Sequence, residues 1–412
     1  MIIGQIVSLF GAGILKFALS LYVLDITGRA EIFASILAIS TLPIIFFSPI
    51  GGAVADKFSK QKLMVIFDLL SSGTVLILGI LLFSGNSSVI FIGLIMTILS
   101  VISTMYQPAV QSAIPSMVGQ EELMKANGIV SGVASLNAIV GPILGGLIYS
   151  NFSIISIVTV SGISFFMAAV LEMFIYIPFV KPVEYGHALK MITSDIKCGV
   201  KYIVRENPFV LKAIAMACGL NLFLTPMFMV GIPYLVKITI GASSSVFGFV
   251  QGITSVSAIL AGLGIGVIGQ RLSVQNIHKW VFICAIFFIP MGFSVFPLVI
   301  GIGKVESIVL LTLSGTVILF ITTILSIFIM TSVQKETPNE FLGKVMSIIF
   351  AGATMAIPIG QLIYGVLLDT LGQKVYVMVF IVGIATYVMG VATYYLMRSP
   401  KLVNIESKDR RF

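Results

Sequence analysis

Apolar positions along this chain fall in long unbroken runs, not in the narrow stripes of a water-soluble protein. ASILAISTLPIIFFSPI and LMVIFDLLSSGTVLILGILLF, on either side of the charged turn GGAVADKFSKQK, are typical. A helix needs about 20 mostly apolar residues to cross the roughly 30 Å hydrocarbon layer of a bilayer. Twelve windows meet that length, at roughly 2–25, 32–55, 63–84, 88–112, 123–149, 154–178, 209–235, 244–268, 280–301, 306–331, 344–369 and 375–397. The short alternating segments of a membrane β-barrel are absent, so the pattern predicts an all-α membrane protein with twelve transmembrane helices. The first window starts at residue 2, with no basic flank and no small-residue cleavage site, and reads as the first transmembrane helix. One stretch breaks the pattern. In 181–208, Leu189, Ile192, Ile196, Val200 and Ile203 share one helical stripe while Lys190, Asp195, Lys197, Lys201 and Arg205 lie mostly elsewhere. That predicts an amphipathic helix on the membrane surface, the plainer alternative being a solvated linker.

The runs also repeat. GAVADKFS at 52–59 is echoed by GVIGQRLS at 266–273, QSAIP at 111–115 by QKETP at 334–338, and GPILGGLIY at 141–149 loosely by IPIGQLIYG at 357–365. The three echoes keep their order and follow at nearly one offset, each after the same number of windows. The expected organisation is therefore two parallel six-helix halves, 1–178 and 209–397, joined by a cytoplasmic linker at 179–208 and followed by a tail at 398–412. Such halves usually share a binding site near the bilayer midplane.

Composition and charge refine this picture. The 412 residues are 58% hydrophobic and 10% charged, against about 25% charged in a soluble domain. The net charge of +8 is no sign of nucleic acid, because the basic residues are spread over membrane-edge loops. All but five of the 24 lysines and arginines fall on one side of the expected topology, the exceptions being Lys16, Arg29, Lys237, Lys304 and Lys374. Basic loops stay in the cytoplasm, so both termini are expected there, with basic loops touching lipid headgroups. The three cysteines, Cys198, Cys218 and Cys284, fit no metal spacing and read as small apolar fillers. No phosphate-binding loop, HExxH or GxSxG is present. The chain is expected to be neither an enzyme nor an ATP-driven pump, with no cofactor and no metal.

An ionisable side chain at the centre of a span costs roughly 2.5–3.5 kcal/mol, so each one asks for a reason. Lys16 lies near the middle of the first window; it faces an interior cavity and meets a substrate oxygen, a carboxylate or helix carbonyls, or else snorkels. Asp25 ends the same window as a proton-coupling candidate or a solvated loop acid. Glu172, in the sixth window, is the deepest carboxylate and the first candidate to carry a proton, with a structural ion pair as the alternative. Asp68, one turn into the third window, reads as part of the charge network of the loop below it. Asn137, Asn221, Gln251 and Gln361 are polar within spans, with Phe17, Met227, Phe228 and Phe247 offering soft apolar surface nearby. These are the candidates for a cavity that takes bulky lipophilic ligands, or else ordinary packing.

The turn that interrupts the first two long runs carries a recognisable signature. Gly52, Asp56, Lys57, Lys60 and Lys62 match G-x-x-x-D-[RK]-x-G-[RK]-x-[RK], give or take one position, with Ser59 where glycine is usual. The fifth window adds G-x8-G-P-x2-G-G at Gly132, Gly141, Pro142, Gly145 and Gly146. With twelve windows in two halves, the chain resembles the major facilitator superfamily. The fifth-window signature is typical of its drug:proton antiporter branches. LYVLDITGRA, YQPAVQSAIPSMV and GIPYLVKITIGASSSVFGFVQ further resemble bacterial macrolide-efflux-like and siderophore-exporter-like members. The resemblance implies alternating-access export of lipophilic or amphiphilic small molecules, with protons as the coupling ion, from a monomer in the bacterial inner membrane. A lysophospholipid or siderophore transporter and a non-transporting scaffold or receptor are the alternatives. The resemblance makes Gly52, Asp56, Lys57, Lys60 and Lys62, with Asp68 beside them, a conformational latch. A carboxylate meeting a helix N-terminus there contributes about 0.3–2 kcal/mol, and glycine at 52 would let helices approach closely. It gives the kinked fifth span a role in preventing leak. The second copy of the loop has Gln270 in place of the acid. The arginine that many proton antiporters carry in the fourth span has no counterpart, Leu99 standing near its place.

Overall fold

A computed structural model describes residues 2–85, 87–118, 122–177, 188–205 and 207–397. Among these residues every regular element is helical: α1 (Ile2–Thr27), α2 (Ala30–Lys57), α3 (Lys60–Phe83), α4 (Val89–Met117), α5 (Leu123–Asn151), α6 (Ile154–Met173), α7 (Ala188–Arg205), α8 (Pro208–Phe223), α9 (Ile232–Tyr234), α10 (Ser244–Ile268), α11 (Ile277–Ser294), α12 (Pro297–Ile302), α13 (Lys304–Glu336), α14 (Asn339–Leu371) and α15 (Val375–Met397). In lipid the backbone has no water to bond, and a helix satisfies its N–H and C=O groups internally. Eleven segments of the described chain are long and apolar enough to span a membrane, and the last, Phe341–Met397, runs through both α14 and α15. That makes the twelve expected spans. The outward surface is apolar, with Phe83, Ile90, Phe174, Tyr176 and Leu263 exposed, while Asp68, Glu172 and Gln361 are buried. This inverts the soluble pattern and suits a lipid solvent.

The chain divides into two compact units. One comprises Met1–Gly186 with Ala242–Gly252, the other His187–Gly241 with Ile253–Phe412. In the first, α1 packs on α5 and α6, α3 on α4 and α6, and α2 on α4. In the second, α8 packs on α14 and α15, and α11 on α13 and α15; Ala261 of α10 and Ile324 of α13 share a buried cluster. The neighbour scheme of α1–α6 thus recurs for α8, α10, α11, α13, α14 and α15, as the sequence echoes require. Tight connections use glycine where the chain must turn left-handed, as at Gly28 (φ 62°) between α1 and α2.

Two expected spans are not plain α-helices. The window 209–235 becomes α8 followed by π-helical turns at Met227–Gly231 and Leu235–Thr239 around the short α9. Pro226 and Pro233 each lack an N–H, and a widened turn accommodates the missing bond. The window 280–301 ends early: α11 stops at Ser294 and Pro297 opens α12. The amphipathic helix forms as α7, but its described part docks on protein. Tyr202 stacks on Phe341 with ring centroids 4.5 Å apart, and a Cβ on Gly199 would stand 3.2 Å from Lys344 Cβ of α14. Ile203 is buried while Val200 is exposed. The start of the linker, through 187, and the tail from 398 lie outside the described residues.

Candidate functional site

The first unit holds a buried polar cluster where four helices meet. Glu172, on the last turn of α6, is 1% exposed. Its Oε1 accepts the Tyr106 hydroxyl of α4 at 2.7 Å, and its Oε2 has no partner. Asp68 of α3 is 2% exposed; its Oδ1 accepts the Ser8 hydroxyl of α1 at 2.9 Å, and its Oδ2 has no partner. Gln61, in the first turn of α3, donates to the Glu172 and Met173 carbonyls at 3.3 and 2.9 Å. It thereby adds a side-chain donor to the carbonyls at the end of α6, of which Glu172 O also accepts the Ile175 N–H at 3.2 Å. A Cβ on Gly4 would stand 3.2 Å from Glu172 Cγ, so α1 lies directly against the acid. Asp68 therefore belongs to this cluster and not to the loop network expected of it. It sits nine residues into α3, about 12 Å of rise from the helix start, and turns inward.

Higher on α1, Lys16 is exposed, and its side chain makes no ion pair or hydrogen bond with a described residue. Around it, α1 and α5 are in close contact: a Cβ on Gly13 would lie 2.7 Å from Asn137 Oδ1, and one on Gly145 would lie 2.9 Å from Phe17 Cδ1. Asn137 Oδ1 has no hydrogen-bond partner. Phe17 stacks on Phe247 with centroids 4.9 Å apart and planes 12° from parallel. Phe247 lies in Ala242–Gly252, the first turns of α10 grouped with this unit. The same turns meet the fifth-span glycines. A Cβ on Gly248 would lie 2.6 Å from Pro142 O and 3.2 Å from Gly146 Cα. Gly141 packs toward Asn137, whereas a Cβ on Gly132 would meet nothing within 4 Å. Pro142 lies inside a continuous α5. Asp25 is exposed at the last turn of α1 and accepts the Tyr149 hydroxyl at 3.1 Å.

In the second unit Gln361 is 1% exposed; its Nε2 donates to Met229 Sδ at 3.3 Å and its Oε1 has no partner. Asn221 is occupied locally, donating to Ala217 O and accepting from Thr225 Oγ1. Met227 is fully buried and Phe228 half-buried, both in the first π-helical turn. Gln251, in the turns of α10 grouped with the first unit, is half-buried. The structure thus gathers Gly13, Phe17, Asn137, Gly145 and Phe247 around one stretch of α1, and places Asn221, Met227, Phe228 and Gln361 separately in the second unit.

The side chain of Asp56, the acid of the charged loop, lies outside the described residues. Asp56 and Lys57 end α2, and Lys60 and Lys62 open α3. Lys57, Lys60 and Lys62 make no ion pair with a described residue. A Cβ on Gly52 would meet nothing within 4 Å, contrary to the close approach expected there. The close approach is one residue earlier: a Cβ on Gly51 would stand 3.0 Å from Met105 Cα of α4. One residue rotates a helix position by about 100°, which is enough to move a glycine from a packed face to an open one.

The model of the Major Facilitator Superfamily matches residues 1–350. The chain belongs to that superfamily. It is a transporter and a multi-pass membrane protein, not an enzyme. As a member of the superfamily it is 22% identical over 387 residues to macrolide efflux protein A of Streptococcus pyogenes, covering 90% of this chain and 88% of the relative. It is 23% identical over 371 residues to the staphyloferrin A transporter of Staphylococcus aureus, covering 89% and 87%. The solved nucleoside transporter NupG shares the fold, with a TM-score of 0.73 at 15% identity over 97% of this chain and 98% of that one. Within this superfamily member, Ser8, Tyr106, Gly51 and Gly248 make contacts that the order of residues does not announce. Tyr106 carried a weak signal, a hydroxyl-bearing ring amid the apolar run of the fourth span; Ser8 carried none.

Proposed function

We propose that this superfamily member is a secondary active exporter of lipophilic or amphiphilic small molecules, working by alternating access with proton antiport. The observation that carries the reading is the buried Glu172, one oxygen held by Tyr106 and the other free to take a proton. The likeness to macrolide efflux protein A over most of both chains supports export. The partners are then a small-molecule substrate, protons and the surrounding lipid, and no nucleic acid; the working form is a monomer in the bacterial inner membrane with both termini cytoplasmic. The likeness to the staphyloferrin A transporter favours a second reading, a siderophore or comparable polar metabolite as cargo. The test is accumulation of radiolabelled erythromycin, a macrolide, in inside-out vesicles with and without an imposed pH gradient. Gradient-dependent accumulation supports the first reading. Iron-chelate transport with no macrolide accumulation supports the second.

Two substitutions extend the test. Lys16→Leu removes an unfavourable charge from the middle of α1 and is expected to insert and fold normally while losing or altering transport. Transport with an unchanged substrate range would assign Lys16 to snorkelling. Asp56→Asn is expected to slow turnover several-fold with near-normal expression, because a latch of about 0.3–2 kcal/mol biases a two-state equilibrium without holding the fold together. Unchanged turnover would remove the latch.

A further inference from the structure

The coupling role proposed for Glu172 leaves a second buried acid unexplained. Asp68 and Glu172 lie in one cluster: Ser8, which bonds Asp68, stands one turn along α1 from Gly4, whose Cβ position is 3.2 Å from Glu172 Cγ. Each has one oxygen bonded to a hydroxyl and one oxygen buried with no partner. Neither pairs with a basic side chain among the described residues. The charge of the chain's amino terminus also acts on Glu172; the surrounding helices add no further ionisable side chain among the described residues near the cluster. On α1 the cluster is met by Gly4 and Ser8, and the next ionisable side chain along that helix is Lys16, eight residues and about 12 Å beyond Ser8. On α4 there is Tyr106 alone. α6 carries no ionisable residue besides Glu172, and α3 carries none beyond Lys60, Lys62 and Asp68.

Two ionised carboxylates in one such pocket repel each other and leave acceptors with no donor. Ser8 and Tyr106 supply one O–H each, and both are already spent on the occupied oxygens. A single added proton changes both conditions. It reduces the net charge of the pair from two to one, and it gives the pair an O–H donor of its own. The remaining negative charge keeps its hydroxyl donor, a charge-assisted bond. The geometry points to Asp68 and Glu172 as one cation site that holds a single exchangeable proton, with Ser8 and Tyr106 as its fixed hydroxyl donors. Loading converts one carboxylate and a proton from solution into a carboxylic acid; unloading returns the proton and restores the second charge. This inference rests on the proton-antiport reading and deepens it, by making the carrier a pair instead of a single acid.

The test is infrared difference titration of the purified full chain, following the carboxylic C=O band, which needs no transported substrate. Subtracting the Asp68→Asn/Glu172→Gln double variant isolates the pair. A signal of one retained carboxylic proton near neutral pH is expected, and each single variant should move the midpoint of the remaining acid by at least about tenfold in proton concentration. Single-variant titrations that simply add to the wild-type curve would overturn the pair. Ser8→Ala, whose hydroxyl touches Asp68 alone, keeps both acids and guards against misfolding of the isosteric variants. It too should move the midpoint, and an unmoved one counts against the site. Exchanging choline chloride for sodium chloride at constant pH should leave the band unchanged. A sodium-dependent change would replace the proton with a metal cation and overturn the proposal as stated. Macrolide accumulation under a pH gradient reads the antiport reading separately: if the infrared coupling is present and the vesicles ignore the gradient, the pair stands and the antiport reading falls.

Discussion

Glu172→Gln is expected to abolish accumulation of substrate against its gradient while leaving downhill exchange measurable. Glutamine matches glutamate in shape, and its side-chain oxygen can still accept the Tyr106 hydroxyl that Oε1 accepts at 2.7 Å. The junction of α1, α4 and α6 should therefore hold, and protein yield should be near normal. What glutamine cannot do is gain and lose a proton. A gradient of one pH unit supplies about 1.4 kcal/mol per proton, enough for tenfold accumulation of substrate. In the variant that contribution vanishes, and the inside-to-outside ratio should fall to about one, whatever pH gradient is imposed. Exchange of labelled for unlabelled substrate does not draw on the gradient and should persist. Both modes are measured in the same vesicles. A variant that still concentrates substrate would show that Glu172 is not the carrier; a wild type indifferent to the pH gradient would remove proton antiport altogether.

The second large effect is expected at the contact between α5 and the first turns of α10. A Cβ on Gly248 would stand 2.6 Å from Pro142 O, 3.2 Å from Gly146 Cα and 3.4 Å from Ile143 Cα. All three are backbone atoms, so no rotamer change makes room. Overpacking of this kind typically costs about 1–3 kcal/mol. Alanine at a helical glycine would otherwise gain about 0.8–1 kcal/mol, so the sign of the change reports the contact. Gly132 supplies the control, since a Cβ there meets nothing within 4 Å. Gly248→Ala should lower the melting temperature of the purified protein and slow transport, whereas Gly132→Ala should leave stability unchanged or raised. Equal losses at both positions would mean that Gly132 and Gly248 matter for backbone freedom and not for packing.

Much of this architecture was legible in the order of residues because the bilayer is a demanding solvent. Twelve apolar runs imply twelve helices, since no other continuous backbone can satisfy itself in lipid, and the echo of GAVADKFS in GVIGQRLS implied the repeat that the helix packing displays. Glu172 stood out for the same reason, a charge in a run that partitions into hydrocarbon. Hydropathy, however, reports only that partitioning. Lipid tails are as apolar as leucine, so the pattern does not say which face of a helix meets another helix. Hence the pattern places Asp68 with the loop, whereas it turns inward to Ser8, and gives Gly52 the close approach that Gly51 makes. The π-helical turns after α8 depend on where two prolines leave the bond ladder short of donors. The stacking of Phe17 on Phe247 joins side chains 230 positions apart. Such pairings arise from packing between helices, and no local periodicity encodes them.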